Sequence, residues 1–184
     1  NLILMINNIQ TTGLKRQLID KYYTKTGIVN ECINLINKYV IIDKENDLCI
    51  EPSAGDGAFI KKIKELCNNY NFYDIEPENS EITKLDYLLF DCNKIKNKFN
   101  KIHVIGNPPF GRQSSLAIKF IKKSIEYCDS ISFILPKSFK KDSLKKHLPL
   151  KFHLEYEYEL PINSFIINNK EYNVPCIFQI WIKK

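Results

Sequence analysis

The sequence predicts an α/β fold with a mostly parallel sheet and helices on both faces, on three observations. Short apolar runs bounded by turn residues alternate with segments of helical period. The acid-, glycine- and proline-rich motifs all fall just after such runs, at the edge where an open parallel sheet gathers its ligands. The last two runs are joined by turn residues alone, which adds an antiparallel hairpin at the C-terminal end.

Ile28 to Tyr39 places Ile28, Cys32, Leu35, Ile36 and Tyr39 on one helical stripe. Leu48 to Glu51 is a short apolar strand stopped by Pro52 and the glycines beyond it. Ala58 to Cys67 reads as a second helix, with Phe59, Ile60, Ile63, Leu66 and Cys67 inward. Asn71 to Ile75 reads as a strand ending in acid, and a further strand precedes Asp86. Ile102 to Gly106 is a buried strand that runs straight into Asn107. Leu116 to Tyr127 is a helix with Ile118, Ile121, Ser124 and Ile125 inward. Ile131 to Leu135 is a strand closed by Pro136. Phe152 to Leu160 alternates as a half-exposed strand does, and Val174 to Ile182 is the last strand, after a turn at Asn168-Asn169.

The 184 residues, 44% hydrophobic and 12% aromatic, suit one globular domain rather than a disordered chain. The formal charge of +6 is compatible with a polyanionic partner, although richness in Lys, Asn and Ile also follows from AT-rich coding. Six cysteines without a CxxC spacing argue against a zinc site or a disulfide framework, and reduced thiols are expected. Asn1 to Met5 has no basic flank or cleavage site, so it does not read as a signal peptide. Apolar runs stay short of the roughly 18 residues of a membrane span. His103, His147 and His153 show neither metal spacing nor a neighbouring nucleophile in sequence, and no residue set suggests Mg2+ or Zn2+ chemistry.

Glu51-Pro52-Ser53-Ala54-Gly55-Asp56-Gly57 joins a strand to a helix. Its glycines allow close backbone approach, and a helix start offers free N–H groups to an anion. Such a loop also serves dinucleotides, but GxGxxG is absent. Asp74, ending the next strand, suits a ribose diol or a solvated acidic turn, and Glu76 lies two residues on. Asp86-Tyr87 pairs an acid with an aromatic, as an adenine site or as an exposed acid beside a core tyrosine. Thr24 either caps the first helix or touches a carboxylate.

Asn107-Pro108-Pro109-Phe110 is the sharpest signal. Two prolines fix φ, so the Asn side chain and the Pro108 carbonyl are held as a pair of acceptors. Aimed at an amino group, they take both its hydrogens and turn the nitrogen lone pair toward a methyl donor. Phe110 then stacks on an unstacked base. Together with the glycine loop, this points to S-adenosylmethionine (SAM) and an exocyclic amino nitrogen. Arg112, Lys137 and Phe139 are candidate substrate contacts. Lys137, Lys140, Lys141, Lys145 and Lys146 would hold phosphates or form a solvated face.

On these motifs, from Lys21 to Trp181, the chain resembles the SAM-dependent amino-methyltransferases of the adenine-N6 DNA type. The resemblance implies a Rossmann-like class I SAM methyltransferase fold, with a seven-stranded, mostly parallel sheet. It implies cofactor contacts from Asp20 to Lys25, including Tyr23 and Thr24. Further cofactor contacts are Glu51, Pro52, Ser53, Ala54, Gly55, Asp74, Ile75, Asp86, Tyr87 and Asn107, and Asn107 to Phe110 form the catalytic motif. Ile131 to Phe139 and Pro175 to Trp181 match the later strands of that family. Unlike its restriction-type members, residues 1–184 read as a single catalytic methyltransferase domain with no separate target-recognition domain. Recognition then comes from a protein partner or from substrate shape, or the chain is a fragment of a longer protein. The substrate implied is adenine N6 in DNA or RNA, in an intracellular setting, cytoplasmic or nuclear. RNA guanine-N2, protein glutamine and a non-catalytic nucleic-acid-binding scaffold remain as alternatives.

Overall fold

A computed structural model describes residues 23–167 and 169–184. Asn1 to Met5, the Asp20-Lys21-Tyr22 part of the first motif and Asn168 lie outside the described residues. Strands β2 (Leu48–Glu51) and β5 (Ile102–Gly106) are apolar at nearly every position and buried at all of them. That is the pattern of central strands in a sheet covered on both sides. They pair in parallel with each other, and β3 (Tyr70–Asp74), β4 (Thr83–Lys84) and β6 (Ser130–Pro136) extend the parallel set.

β7 (Phe152–Glu159) and β10 (Cys176–Lys183) are antiparallel partners. They are not simply appended, because β10 slots between β6 and β7 to give the order β4-β3-β2-β5-β6-β10-β7. The two patterns explain their places. Cys176 to Trp181 is buried at every residue, so it needs a neighbour on each side. Phe152 to Glu159 alternates with acids and can stand at an edge.

Helices α1 (Thr26–Tyr39) and α2 (Ile60–Leu66) cover one face of the sheet. The helical stretch of α2 is shorter than the Ala58 to Cys67 expected, yet Phe59, Ile60, Ile63, Leu66 and Cys67 are all buried. The other face carries α3 (Ser115–Ser124) and α4 (Asp142–Lys145), with 3₁₀ turns at Tyr87–Leu89, Cys92–Lys94, Arg112–Ser114 and Lys137–Lys140. Leu116 to Tyr127 was expected as one helix. The α-helix ends at Ser124, whose hydroxyl turns back to donate to the Phe120 carbonyl at 2.8 Å.

A second sheet was not foreseen. β1 (Tyr23–Thr24) pairs antiparallel with β8 (Phe165–Ile167), which pairs with β9 (Lys170–Tyr172). Its strands have two or three residues each, too few for any period to show. The Lys25 N–H donates to the Ser164 carbonyl at 3.1 Å, and the Lys25 ammonium pairs with Glu171.

At the N-terminal edge of the main sheet, Asp47, His103 and Ser130 form a buried chain. His103 Nδ1 lies 2.7 Å from Ser130 Oγ, and Nε2 lies 3.1 Å from Asp47 Oδ2. Asp47 also accepts the N–H groups of Asp43 and Lys101. A serine neighbours His103 in space although none does in sequence. The group is sealed, with each residue about 2% exposed or less, and it lies at the N-terminal ends of the strands, opposite the edge where Glu51 and Asn107 stand. It ties β2, β5 and β6 together. Removing the ring takes a partner from a buried carboxylate, leaves it only the two backbone N–H groups and opens a cavity, so His103→Ala should cost about 3 kcal/mol in urea unfolding. Burial also depresses the imidazole pKa. The stability tied to neutral His103 is therefore present above pH about 6.5 and is lost as the pH falls below it.

Candidate active site

The C-terminal ends of β2, β3 and β5, with β1 and the start of α3, enclose a cavity of about 360 Å³. Tyr23, Thr24, Glu51, Pro52, Ser53, Ala54, Gly55, Asp74, Ile75, Asp86, Tyr87 and Asn107 all line it. Sequence reasoning did not foresee Glu78, Leu85, Leu116 and Phe120 there. Leu116 and Phe120 carry a legible signal, since they stand four apart on the helix that follows the tetrapeptide.

The loop after β2 is fixed by backbone and carboxylate together. Gly55 sits at φ +57° and Gly57 at +90°, conformations that a side chain strains. Ala54 N–H donates to the Tyr73 carbonyl, and Gly55 N–H donates to Asp74 Oδ2, each at 2.8 Å. Asp74 Oδ1 accepts from Glu76 N–H, also at 2.8 Å. Asp74 thus braces the loop through both oxygens, and each oxygen keeps a lone pair for a further donor.

Glu51 ends β2 inside the sheet. It is 2% exposed, and its Oε2 has no hydrogen-bond partner. Burial, and then the charges of Asp56 and Asp74, push its pKa well above the usual carboxylate range. A Cβ at Gly106 would lie 3.1 Å from Glu51 Cγ, and Gly106 has φ +150°. Glycine before Asn107 therefore makes room for the buried acid.

Asn107 is held from two sides. Ser53 Oγ donates to its carbonyl at 3.1 Å, and its Nδ2 donates to Thr24 Oγ1 at 3.4 Å. Thr24 is therefore not the helix cap. Lys25 takes that position, and the Thr24 hydroxyl faces Asn107 instead. Pro109 lines the cavity, Pro108 is buried, and Phe110 is half-buried against the α1 side of the core. The Phe110 carbonyl accepts the N–H groups of Leu116 and Ala117, capping α3. A Cβ at Gly111 (φ +68°) would lie 2.9 Å from the Leu116 nitrogen, so the turn out of the tetrapeptide needs glycine.

Asp86 uses Oδ1 to accept from Leu88 N–H at 3.0 Å and starts the 3₁₀ turn. Tyr87 is a buried wall of the cavity, its hydroxyl bonded to Ser124 and Tyr127. Tyr23 donates to Glu78 Oε1 at 2.5 Å, which adds a second brace across the mouth.

The substrate-contact expectations fare unevenly. Arg112 is exposed beside the tetrapeptide. Lys137 is exposed but shares Glu159 with Lys140. Phe139 is corrected outright: it has no exposed surface and packs in the core under α3 and α4, because the 3₁₀ turn after β6 points it inward. Phe139→Ala should lower stability by about 3–5 kcal/mol in denaturant unfolding, rather than weaken substrate binding selectively.

Solved structures with the same architecture decide the fold. A candidate RNA methyltransferase from Pyrococcus horikoshii superposes with a TM-score of 0.64 at 19% identity, covering 90% of this chain and 88% of that one. A candidate class I SAM-dependent methyltransferase from Listeria monocytogenes gives 0.63 at 15% identity, covering 87% and 60%. The chain has the class I methyltransferase fold. In sequence, the ribosomal RNA small subunit methyltransferase A of Francisella tularensis subsp. novicida is 26% identical over 140 residues, 68% of this chain and 51% of that protein. The chain spans about half the length of the curated relatives it matches. No family model matches it.

Six carboxylates line the cavity: Glu51, Asp56, Asp74, Glu76, Glu78 and Asp86. Among the described residues, no Lys, Arg or His lines it. Such a lining repels a phosphate-bearing dinucleotide and suits a ligand with cationic groups. None of the described His, Cys, Asp and Glu residues forms a group that could hold a metal ion. None of the described helices is long and apolar enough to cross a membrane.

Proposed function

We propose that this chain transfers a methyl group from SAM to an exocyclic amino nitrogen, adenine N6 in RNA. The observation that carries the reading is the meeting of an acid-lined cavity with Asn107 at the end of β5. Glu51, with an unpartnered buried oxygen, fits the amino group of a methionine moiety. Asp74 fits ribose hydroxyls, and Ile75, Asp86, Leu88 and Leu116 fit an adenine ring. SAM supplies an electrophilic methyl carbon on a positively charged sulfur.

The chain's own part is positional. Asn107 and the Pro108 carbonyl accept the two amino hydrogens and hold the nitrogen lone pair toward the cavity. A new N–C bond forms as the S–C bond breaks, and the methylated nitrogen releases its extra proton to water. Phe110, half-buried, offers its remaining face for stacking the extruded base. The relatives named as RNA methyltransferases favour RNA over DNA.

The test is methyl-labelled SAM with structured RNA, single- and double-stranded DNA and total protein. Label on RNA, recovered as N6-methylated adenosine, is the expected result. Label on DNA or protein alone would overturn the substrate, and binding of SAM without label on any of the four would overturn the reaction.

A further inference from the structure

The charge of this chain is unevenly laid out. Between Cys92 and Lys151 it carries fourteen Lys and Arg against three Asp and Glu, a net of +11. The remaining residues carry thirteen against eighteen, a net of −5, and the two together give the chain's +6. The acidic part includes the cofactor-cavity carboxylates. The basic part supplies the elements packed on the opposite side of the sheet from α1 and α2. Ile95, Ala117, Phe120, Ile121, Phe139 and Leu148 all enter that one core cluster.

The fold therefore turns a charge bias along the chain into a charged face. Lys119 and Lys122 stand three apart on the solvent side of α3, with Lys141 and Lys146 flanking α4, and all four are exposed. None of the four makes an ion pair among the described residues, whereas Lys137, Lys140 and Lys145 are held by Glu159 and Glu157. His147 feels both Lys122 and Lys146, so the two elements bring their positive charge together. The platform is anchored from below. Buried Gln179 of β10 donates to the Phe139 carbonyl at 3.2 Å and to Glu157 at 2.7 Å, and Trp181 donates to Gln179 at 3.0 Å. Its upper end is the tetrapeptide, since α3 starts eight residues after Asn107 and exposed Arg112 lies between them.

We infer that the α3–α4 face, through Lys119, Lys122, Lys141 and Lys146, docks the phosphate backbone of the RNA whose base enters at Asn107. The inference rests on the function proposed above and names the surface that delivers its substrate. Counter-ion release provides the affinity, and the acidic cofactor side, through like-charge repulsion, restricts the strand to this face. Orientation comes from that polarity rather than from base contacts, so binding is expected to be strong but weakly selective for sequence.

The experiment compares two charge-reversed proteins with the wild type. One is Lys119→Glu, Lys122→Glu, Lys146→Glu. The other, on the opposite layer, is Lys38→Glu, Lys44→Glu, Lys61→Glu. Affinity for a structured RNA oligonucleotide is measured between roughly 50 and 200 mM salt, with SAM affinity and thermal unfolding as checks of folding. The first variant should lose at least about tenfold in RNA affinity, with a salt slope shallower by about 2, while the second stays within about threefold. Equal losses in both, or no loss in the first, would overturn the assignment. If the Glu variant misfolds, the Gln triple variant is read in the same way with a smaller expected change. RNA methylation that persists unchanged in the first variant removes the surface and leaves the proposed reaction standing. Binding that depends on this face without any methyl transfer removes the reaction and leaves the surface.

Discussion

Asn107→Ala should lower the rate of methyl transfer by about a hundred- to a thousandfold while leaving SAM affinity within a few-fold. The split follows from what Asn107 touches. Its backbone carbonyl takes the Ser53 hydroxyl, and that bond survives in the variant. Its side-chain amide is the part that reaches toward Thr24 at the cavity wall. In the proposed reaction, alanine removes one of two fixed acceptors for the target amino group and leaves the rest of the cavity lining in place. The measurement is single-turnover transfer beside calorimetric SAM binding. Loss of both together would assign Asn107 to the cofactor alone, and loss of neither would end its catalytic role. Asn107→Asp is the sharper companion, since it keeps an acceptor but adds a charge next to an already acidic cavity. It should recover little of the rate.

Glu51→Gln should act in opposite directions on binding and on stability. In the free protein, burial and two neighbouring acids favour the protonated form of Glu51. A group whose folded pKa is raised contributes stability below its unfolded value, near pH 4.3, and that contribution is lost as the pH rises through the folded value. Above that point the wild type carries a buried carboxylate whose Oε2 has no partner and the amide variant carries no charge there, so the free variant should be at least as stable at neutral and higher pH. Binding runs the other way. A ligand with an ammonium group prefers the ionised carboxylate, so wild-type affinity should rise with pH as the Glu51 proton is shed. The variant should bind roughly ten- to a hundredfold more weakly, with that pH dependence removed. Calorimetry across pH, in two buffers of different ionisation enthalpy, reads both effects. An unchanged pH dependence in the variant would place the cation elsewhere, at Asp56 or Asp86.

Much of this site was legible because its parts are local. Glu51 to Gly57 shows its turn in seven residues: a strand-ending acid, a proline stop and glycines, which the structure places at positive φ. Asn107 to Gly111 is equally self-contained, with prolines that fix the Asn and a glycine that lets Phe110 cap the next helix. Phe139 misled because an aromatic after a strand-ending Pro-Lys looks like a rim residue. Only the inward 3₁₀ turn, pinned by Gln179 forty residues later, shows it as core. His103 likewise had no nucleophile near it in sequence, and Ser130 reached it only through the parallel pairing of β5 with β6.

The sequence by itself determined the alternation of strands and helices, the edge where the cavity lies and the two central motifs, because each depends on neighbours a few residues apart. It also held the charge bias between the halves, though not that the bias would become a face. Tertiary structure decided three things. It slotted β10 between β6 and β7, since a strand apolar at every position is most stable with partners on both sides. It placed Tyr23 and Thr24 at the cavity by pairing them with Phe165 and Ile166, a contact across some 140 residues between strands too short to carry a period. It also gathered six acids from three loops around one cavity. Burial inside the sheet, and then the charges of Asp56 and Asp74, hold the proton on Glu51, and the sequence of the β2 loop alone contains neither that burial nor the approach of Asp74.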